Sequence, residues 1–256
     1  DQYRGPDGKP LYPQRALQVG PLLSKSASGG RNNTGKITGK VIVVGNLADT
    51  DAYPWPGDWY RARVEEALGA CYGDDFRLWY NDNADHLEGP VTGARAARLI
   101  EFTGILQQAL RDLSAWVEKG VQPARTTTYD VTDSQVTVPE YAEARRGIQP
   151  VVDLTVDGTD RIEVRAGTPV TFKARIDVPP GAGRIVHTEW DFAGVGDFTA
   201  KPFGVPRRTV ETRQTFTYTE PGTYVPVLKA TAQREGDTAT PFAQVANLGR
   251  VRVVVS

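Results

Sequence analysis

The chain reads VIVVG at residues 41–45, an unbroken β-branched run that ends at a glycine. Such a run is typical of a strand that is buried on both faces of a parallel sheet. A helical pattern starts near Asp58, with apolar residues at helical spacing between Tyr60 and Leu68, and FRLWY at residues 76–80 predicts a second strand. Strand, helix and strand in this order predict an α/β unit with a right-handed crossover.

A longer helical pattern runs from about Thr92 to Gly120, where apolar residues again keep helical spacing. The periodicity ends there, and residues 122–150 are rich in threonine, proline and charge, as expected of a linker or strap between domains. The chain therefore divides into an α/β portion at residues 1–121, a linker at 122–150 and a third unit at 151–256.

The third unit consists of short β-type runs that are separated by glycine, proline and aspartate turns. In VTFKARI at residues 170–176, apolar and polar residues alternate, which predicts a half-exposed antiparallel strand. The runs that predict strands are 151–156, 162–164, 170–176, 187–192, 215–218, 224–230 and 251–255. About seven short strands in roughly 100 residues predict an all-β, Ig-like β-sandwich.

Composition excludes several classes of protein. Lysine and arginine number 30 against 31 acidic residues, so the net charge of -1 gives no drive toward nucleic acid. No apolar stretch is long enough for a membrane span. The single cysteine, Cys71, excludes a disulfide scaffold, and the segment around Lys36 lacks the spacing of a phosphate loop, so we expect no cofactor.

The third unit contains AGTPVTF at residues 166–172, EWDF at 189–192 and FTYTEPGTY at 216–224. In these residues and their spacing it resembles the PKD domain family. Trp190 and Phe192 are expected to fill the core between the sheets. Where that family usually has WDFGDG this chain has WDFAGVGDF, an insertion that is expected to lengthen the turn.

The resemblance to PKD domains also implies a location and a role. Such modules are mostly extracellular adhesion or spacer domains attached to enzymes, so we expect an extracellular, secreted bacterial protein. A glycan or a protein is the ligand that the resemblance implies for this module.

Polar residues follow both predicted strands of the α/β portion. The loop after the first strand contains Asp49 and Asp51, and the loop after the second contains His86. Sites of open α/β sheets lie at the carboxyl ends of strands, so these loops are expected to meet. A carboxylate that binds one imidazole nitrogen fixes the tautomer, which leaves the other nitrogen to take a proton from a nucleophile. The pattern therefore predicts an acid–base pair.

The order of an acid and then a histidine resembles the C-terminal part of the α/β-hydrolases, the serine esterases, lipases and peptidases. The resemblance covers residues 36–118 and implies that His86 is the catalytic histidine and that Asp49 or Asp51 is the acid. We prefer Asp49, because it follows the strand-ending glycine more closely. The implied reaction is hydrolysis of an ester or amide bond in a small-molecule ester or a peptide.

Two further features lie beside these residues. Trp55 and Trp59 flank the acid loop, where they either line a substrate pocket or pack against the protein. NDNAD at residues 81–85 alternates like the start of a calcium loop, but His86 stands where an EF-hand requires glycine. We therefore predict no metal site.

The nucleophile motif G-x-S-x-G of the hydrolases is absent. No serine has glycine two positions away on both sides; the serines are Ser24, Ser26, Ser28, Ser114, Ser134 and Ser256. We therefore expect an inactive fragment whose nucleophile and oxyanion donors lie in an upstream half, which agrees with the absence of methionine. The rival hypothesis is a non-enzymatic extracellular binding or adhesion protein with a degenerate hydrolase-like scaffold.

Overall fold

The computed structural model describes residues 4–12 and 33–256. The elements of the α/β portion are, in chain order, β1 (Val41–Asn46), α1 (Trp55–Leu68), a 3₁₀ turn (Gly69–Cys71), α2 (Tyr72–Asp75), β2 (Phe76–Asn81), a second 3₁₀ turn (Gly93–Arg95) and α3 (Thr103–Lys119). β1 and β2 pair in parallel along their whole length. Both strands lie where the apolar runs predict them, because β-branched residues in the first run and aromatic residues in the second favour strands.

β1 and β2 differ in burial. Every residue of β2 is buried, and Val64 of α1 packs against its Phe76 and Leu78. β1 is only half buried, which corrects the prediction of a strand buried on both faces. Within the described residues β1 pairs with β2 alone, so its outer edge has no neighbouring strand to cover it.

α3 begins at Thr103, so the prediction of a helix from about Thr92 is wrong over its first part. The chain before α3 instead runs beside the loop that follows β2, where the N–H of Ile100 donates to the carbonyl oxygen of Asn83 at 2.7 Å. The helix ends as predicted, at Gly120 in a left-handed conformation with φ 68°. Neither α3 nor any other helix in the described part of the chain is long and apolar enough to cross a membrane.

Residues 122–150 form a packed strap along β2. They contain β3 (Asp130–Thr132), β4 (Gln135–Thr137) and α4 (Ala142–Arg145), and β3 pairs with β4. The N–H of Thr127 donates to the carbonyl oxygen of Leu78 at 2.9 Å, and its Oγ1 accepts the N–H of Tyr80 at 3.1 Å. Since alternate residues of a strand bond to opposite sides, the strap covers the edge of β2 that faces away from β1.

The third unit is a β-sandwich. Its strands are β5 (Val151–Val156), β6 (Arg161–Val164), β7 (Pro169–Asp177), β8 (Arg184–Asp191), β9 (Thr199–Ala200), β10 (Thr209–Thr217), β11 (Gly222–Tyr224), β12 (Val227–Gln233), β13 (Val245–Arg250) and β14 (Arg252–Val255). The sheet orders are β10-β7-β5, β13-β12-β8-β9 and β11-β14-β6. The Ig-like fold that the sequence predicts is confirmed.

Several strands of the sandwich differ from the prediction: β9 matches none of the predicted runs, and the predicted run at 215–218 covers only the end of β10. The run at 224–230 is divided between β11 and β12 at Pro226, which has no N–H to donate to a ladder. β13 was not predicted, because Asn247 and Gly249 interrupt its apolar alternation.

Trp190 and Phe192 occupy the core as expected. Trp190 is 1% exposed and stacks on Phe192, with 5.4 Å between the ring centroids. Three backbone N–H groups of the following turn, those of Ala193, Gly194 and Gly196, donate to the carboxylate of Asp191 at 2.6–3.1 Å. The inserted turn is therefore held by hydrogen bonds to this buried side chain.

The sandwich and the α/β portion share one hydrophobic core. Trp79 and Ile105 belong to the same cluster of buried apolar side chains as Trp190. The backbones also approach closely, because a Cβ added at Gly104 would lie 1.8 Å from the carbonyl oxygen of Gln244. The two units are therefore packed directly against each other.

Gly104→Ala is expected to destabilise the chain, because the backbone of Gln244 cannot rotate away as a side chain would. Overpacking of this kind costs about 1–3 kcal/mol in the free energy of unfolding, which urea denaturation measures. Gly73→Ala is the matched control, since no atom lies within 4 Å of its added Cβ. Equal stability of the two variants would contradict the close approach.

Candidate acid–base site

Two loops meet at the carboxyl ends of β1 and β2. The acid loop (residues 47–52) follows β1, and the histidine loop (residues 82–86) follows β2. The N–H of Ala48 donates to the carbonyl oxygen of Ala84 at 3.0 Å, and Nδ2 of Asn46 donates to the carbonyl oxygen of Asp85 at 2.9 Å. Backbone and side-chain hydrogen bonds therefore connect the loops before either reaches its candidate residue.

The structure brings Asp49 and His86 together. Oδ2 of Asp49 lies 3.0 Å from Nδ1 of His86. Oδ1 of the same carboxylate accepts the backbone N–H groups of Asp51 and Ala52 at 2.9 and 2.7 Å. The Asp49 carboxylate is thus held from both oxygens, and the ring of His86 is the group that it orients.

Asp51 does not share this arrangement. It is exposed, and it contributes its backbone N–H to Asp49. The Asp49 side chain is only 10% exposed, whereas the His86 ring is 41% exposed. A nearly buried carboxylate beside an accessible imidazole is the geometry expected of a pair in which the imidazole exchanges protons.

The hydrogen bonds shift the pKa values of both partners. Desolvation alone raises the pKa of Asp49, but hydrogen bonds from Ala52, His86 and Asp51 outweigh it and hold this pKa below its ordinary value. The hydrogen bond to Asp49 and the charge of that carboxylate raise the pKa of His86, and the charges of Asp51 and Asp85 act in the same direction. The pair is therefore stabilised as carboxylate and imidazolium.

Asp49→Asn is expected to lower the pKa of His86, because it removes the carboxylate that favours the imidazolium. An NMR titration of the His86 ring measures this, and Asp51→Asn is the control with a smaller expected shift. A raised pKa means that protonated His86 stabilises the fold at low pH, and that this contribution is lost as the pH rises through the folded-state pKa. Equal shifts from both variants would contradict the assignment of Asp49 as the partner.

The other nitrogen of His86 is available to a reactant. Among the described residues, no group forms a hydrogen bond to Nε2, and no serine bonds to the ring. Ser114 donates to Glu118 and Ser256 lies beside Val164. Ser24, Ser26 and Ser28 lie outside the described residues.

Trp55 and Trp59 lie on the first turns of α1, directly after the acid loop. Each is 41% exposed, and the guanidinium of Arg63 lies 5.5 Å from the centroid of the Trp59 ring. The hydroxyl of Tyr80 donates to the carbonyl oxygen of Pro54 at 2.8 Å, which attaches the start of this helix to β2. Both indoles are thus held near the acid loop with part of their surface open.

The residues at 81–85, which resemble the start of a calcium loop, do not direct their side chains toward a common point. The side-chain amide of Asn83 is engaged by the sandwich. The Asp85 carboxylate accepts hydrogen bonds from the N–H of His86 and from Arg95 at 2.8 and 3.2 Å. Across the described residues, no group of three or more His, Cys, Asp and Glu side chains is arranged to hold a metal ion.

The residues outside the α/β portion that hold the histidine loop in place were not predicted from the sequence. Gln149 and Asn247 are each 2% exposed, and both bind this loop from outside the α/β portion. A signal for Asn247 does exist in VANLG at residues 245–249, since an amide among apolar strand residues needs buried partners. Nothing in the sequence indicates which loop provides them.

The PKD domain family matches residues 153–245. Solved structures with similarity include the PKD domain of an M14-like peptidase from a Thermoplasmatales archaeon, with 17% identity over 43% of this chain and 98% of that chain and a TM-score of 0.30. The CARDB domain of a Pyrococcus furiosus protein has 14% identity over 43% and 96% of the two chains and a TM-score of 0.28. No curated protein matches the chain. Residues 153–245 are thus a PKD domain, and this family match does not extend to residues 36–118.

Proposed function

We propose that the α/β portion ahead of the PKD domain supplies the acid and the base of a secreted serine hydrolase that cleaves an ester or amide bond. The observation that carries the proposal is the 3.0 Å contact between Oδ2 of Asp49 and Nδ1 of His86 at the carboxyl ends of two parallel strands. A nucleophile-bearing half, upstream of this chain, completes the enzyme.

The pair has a defined part in this reaction. Asp49 accepts a hydrogen bond from the Nδ1–H of His86, which leaves Nε2 as the unprotonated nitrogen. When the serine oxygen attacks the carbonyl carbon, Nε2 takes the serine proton and the imidazolium is stabilised by Asp49. His86 then gives that proton to the leaving alcohol or amine, and a water molecule repeats the sequence to release the acid and restore the serine.

The open edge of β1 supports the same proposal. Its β-branched residues are half exposed and its outer backbone groups have no strand partner among the described residues. Unpaired strand edges are usually covered or shortened in stable proteins. A strand from the nucleophile-bearing half would pair there and bring its serine toward the acid and histidine loops.

Two tryptophans and the PKD domain have roles in the proposed enzyme besides that of the pair. Trp55 and Trp59, with their partly open rings, bind the acyl or aromatic part of the substrate. The PKD domain implies export to the cell surface or medium, where it contacts a glycan or a protein. Cell fractionation tests the location, and retention of the protein inside the cell would contradict it.

Serine-directed labelling tests the function directly. The completed enzyme, in which the upstream half is joined to this chain, is expected to hydrolyse a p-nitrophenyl ester and to react covalently with a fluorophosphonate. The 256-residue chain by itself is expected to do neither, because no described serine bonds to His86. A full-length protein that is folded but neither hydrolyses the ester nor takes the label would contradict the proposal.

The binding-protein alternative is favoured by one observation, the lack of a serine at Nε2 among the described residues. In that case the α/β portion is a scaffold without catalysis, and the same two assays remain negative for the full-length protein. The upstream sequence separates the two functions as well, since only the enzyme requires a G-x-S-x-G after a strand.

A further inference from the structure

We propose that the β-sandwich that contains the PKD match is part of the acid–base site, with Asn247 and Arg250 of β13 acting as positioning residues that hold the histidine loop through Asn83. The catalytic consequence rests on the function proposed above. The positioning itself concerns only His86 and Asp49 and can be measured without catalysis.

The side-chain amide of Asn83 is bound from both ends by β13. Its Nδ2 donates to Oδ1 of Asn247 at 2.8 Å and to the carbonyl oxygen of Leu248 at 3.4 Å. Its Oδ1 accepts a hydrogen bond from Nη2 of Arg250 at 2.6 Å. An amide with its donor and its acceptor both engaged has one defined orientation, so the backbone at Asn83 is held with it.

The groups on the sandwich side are themselves fixed. Asn247 is buried, and its Nδ2 donates to the carbonyl oxygen of Pro150 at 2.7 Å. Arg250 uses Nη1 to bind the carbonyl oxygen of Arg98 at 2.9 Å, in the segment that runs beside the histidine loop. The contact to Asn83 is therefore made by a prearranged surface rather than by mobile side chains.

A second attachment lies one residue earlier, at the backbone of Asp82. Oε1 of the buried Gln149 accepts the N–H of Asp82 at 2.7 Å, and its Nε2 donates to the carbonyl oxygens of Asp82 and Ala246, both at 3.0 Å. One amide thus joins the histidine loop to β13. Arg145 adds an ion pair to the Asp82 carboxylate.

The attachment leads directly to the acid–base pair. Asn83 has a left-handed backbone with φ 57°, which is uncommon for a residue with a side chain and needs surrounding contacts to persist. The next residue, Ala84, is fully buried in the shared core, and its carbonyl oxygen binds the N–H of Ala48, beside Asp49. His86 follows two residues later, so its position relative to Asp49 depends on how the loop is held at 82–84.

Four charged residues of the described part of the chain lie on or near the ring of His86. Asp49 binds the ring, Asp51 and Asp85 lie near it, and Arg95 binds the Asp85 carboxylate. Release of the loop from β13 is expected to change the pKa of His86 mainly through its contact with Asp49, because that contact has the largest effect on the pKa of the ring.

Asn83→Gly and Arg250→Gln test the proposal in the 256-residue chain. Glycine accepts the left-handed backbone at position 83, so the first variant removes the amide without adding strain. The chain has only two histidines, so few ring signals need to be assigned in an NMR titration of His86. Each variant is expected to lower the pKa of His86 toward its ordinary value, while Arg252→Gln, an exposed position with the same change of charge, leaves it unchanged.

Activity gives the second readout. In the completed enzyme, Asn83→Gly and Arg250→Gln are expected to lower kcat up to about 100-fold with little change in KM, as a small misplacement of the base would. Urea denaturation verifies that each variant is folded, and Arg250→Gln serves alone if Asn83→Gly does not fold. An unchanged pKa of His86 in folded variants, or an equal shift from Arg252→Gln, would overturn the positioning role. A shifted pKa in an enzyme without any hydrolase activity would instead leave the positioning intact and reject the proposed function.

Discussion

His86→Ala is expected to lower kcat of the completed enzyme by about 10⁶-fold, which would be the largest effect of any substitution in this chain. The imidazole takes the serine proton and returns it to the leaving group, so its removal affects both steps. Because Nδ1 is bound to Asp49 and the ring is 41% exposed, the substitution removes the proton carrier with little disturbance of packing. Hydrolysis of a p-nitrophenyl ester measures the loss, and near-native stability in urea shows that folding is not the cause.

The companion variants identify the acid. Asp49→Asn is expected to lower kcat by about 10⁴-fold, since an amide in this place favours the wrong tautomer of His86. Asp51→Asn is expected to change kcat by only a few-fold, because Asp51 meets the pair through its backbone N–H. Wild-type turnover in His86→Ala would reject the base, and a larger loss in Asp51→Asn than in Asp49→Asn would reverse the assignment of the acid.

Trp190→Ala is expected to destabilise the chain by about 3–5 kcal/mol, a loss comparable with the whole stability of many domains. The indole is 1% exposed and contacts the rings of Phe172 and Phe192, with centroids 6.1 and 5.4 Å away. Its removal leaves a cavity between the sheets that the remaining aromatic rings cannot fill without leaving their own contacts. The free energy of unfolding in urea is the measurement.

Trp59→Ala is the control for this substitution. It removes the same side chain from a position that is 41% exposed, so the expected loss is within about 1 kcal/mol. Similar losses from the two variants would mean that Trp190 does not fill the sandwich core.

The parts of this structure that the sequence predicts are those with local signals. VIVVG at 41–45 and FRLWY at 76–80 specify their strands by composition, and consecutive strands of an α/β unit usually lie side by side. The contact between Asp49 and His86 follows from that adjacency, because both residues are only a few positions beyond a strand end.

The parts that it does not predict depend on contacts between distant segments. Residues 92–102 have helical spacing, but Ile100 bonds to Asn83 instead of continuing a helix. β13 contains Asn247, whose side-chain amide bonds to a loop more than 150 residues away. Because a polar residue is not expected in a buried strand unless its partner is known, the sequence pattern does not indicate that β13 is buried. Which of Asp49 and Asp51 reaches the histidine is also set by the turn that directs their side chains, and composition does not encode it.

The shared core determines whether this PKD domain can fold when it is separated from the α/β portion. Modules of a multidomain protein are often cut out at linkers and joined to new partners, with each unit melting on its own. Separation at residue 150 would expose Trp79 and Ile105, and it would break the hydrogen bonds from Gln149 to Ala246 and from Asn247 to Pro150. The 256-residue chain should therefore unfold in one cooperative transition. Its PKD domain is expected to fold only together with the α/β portion and not as an independent module.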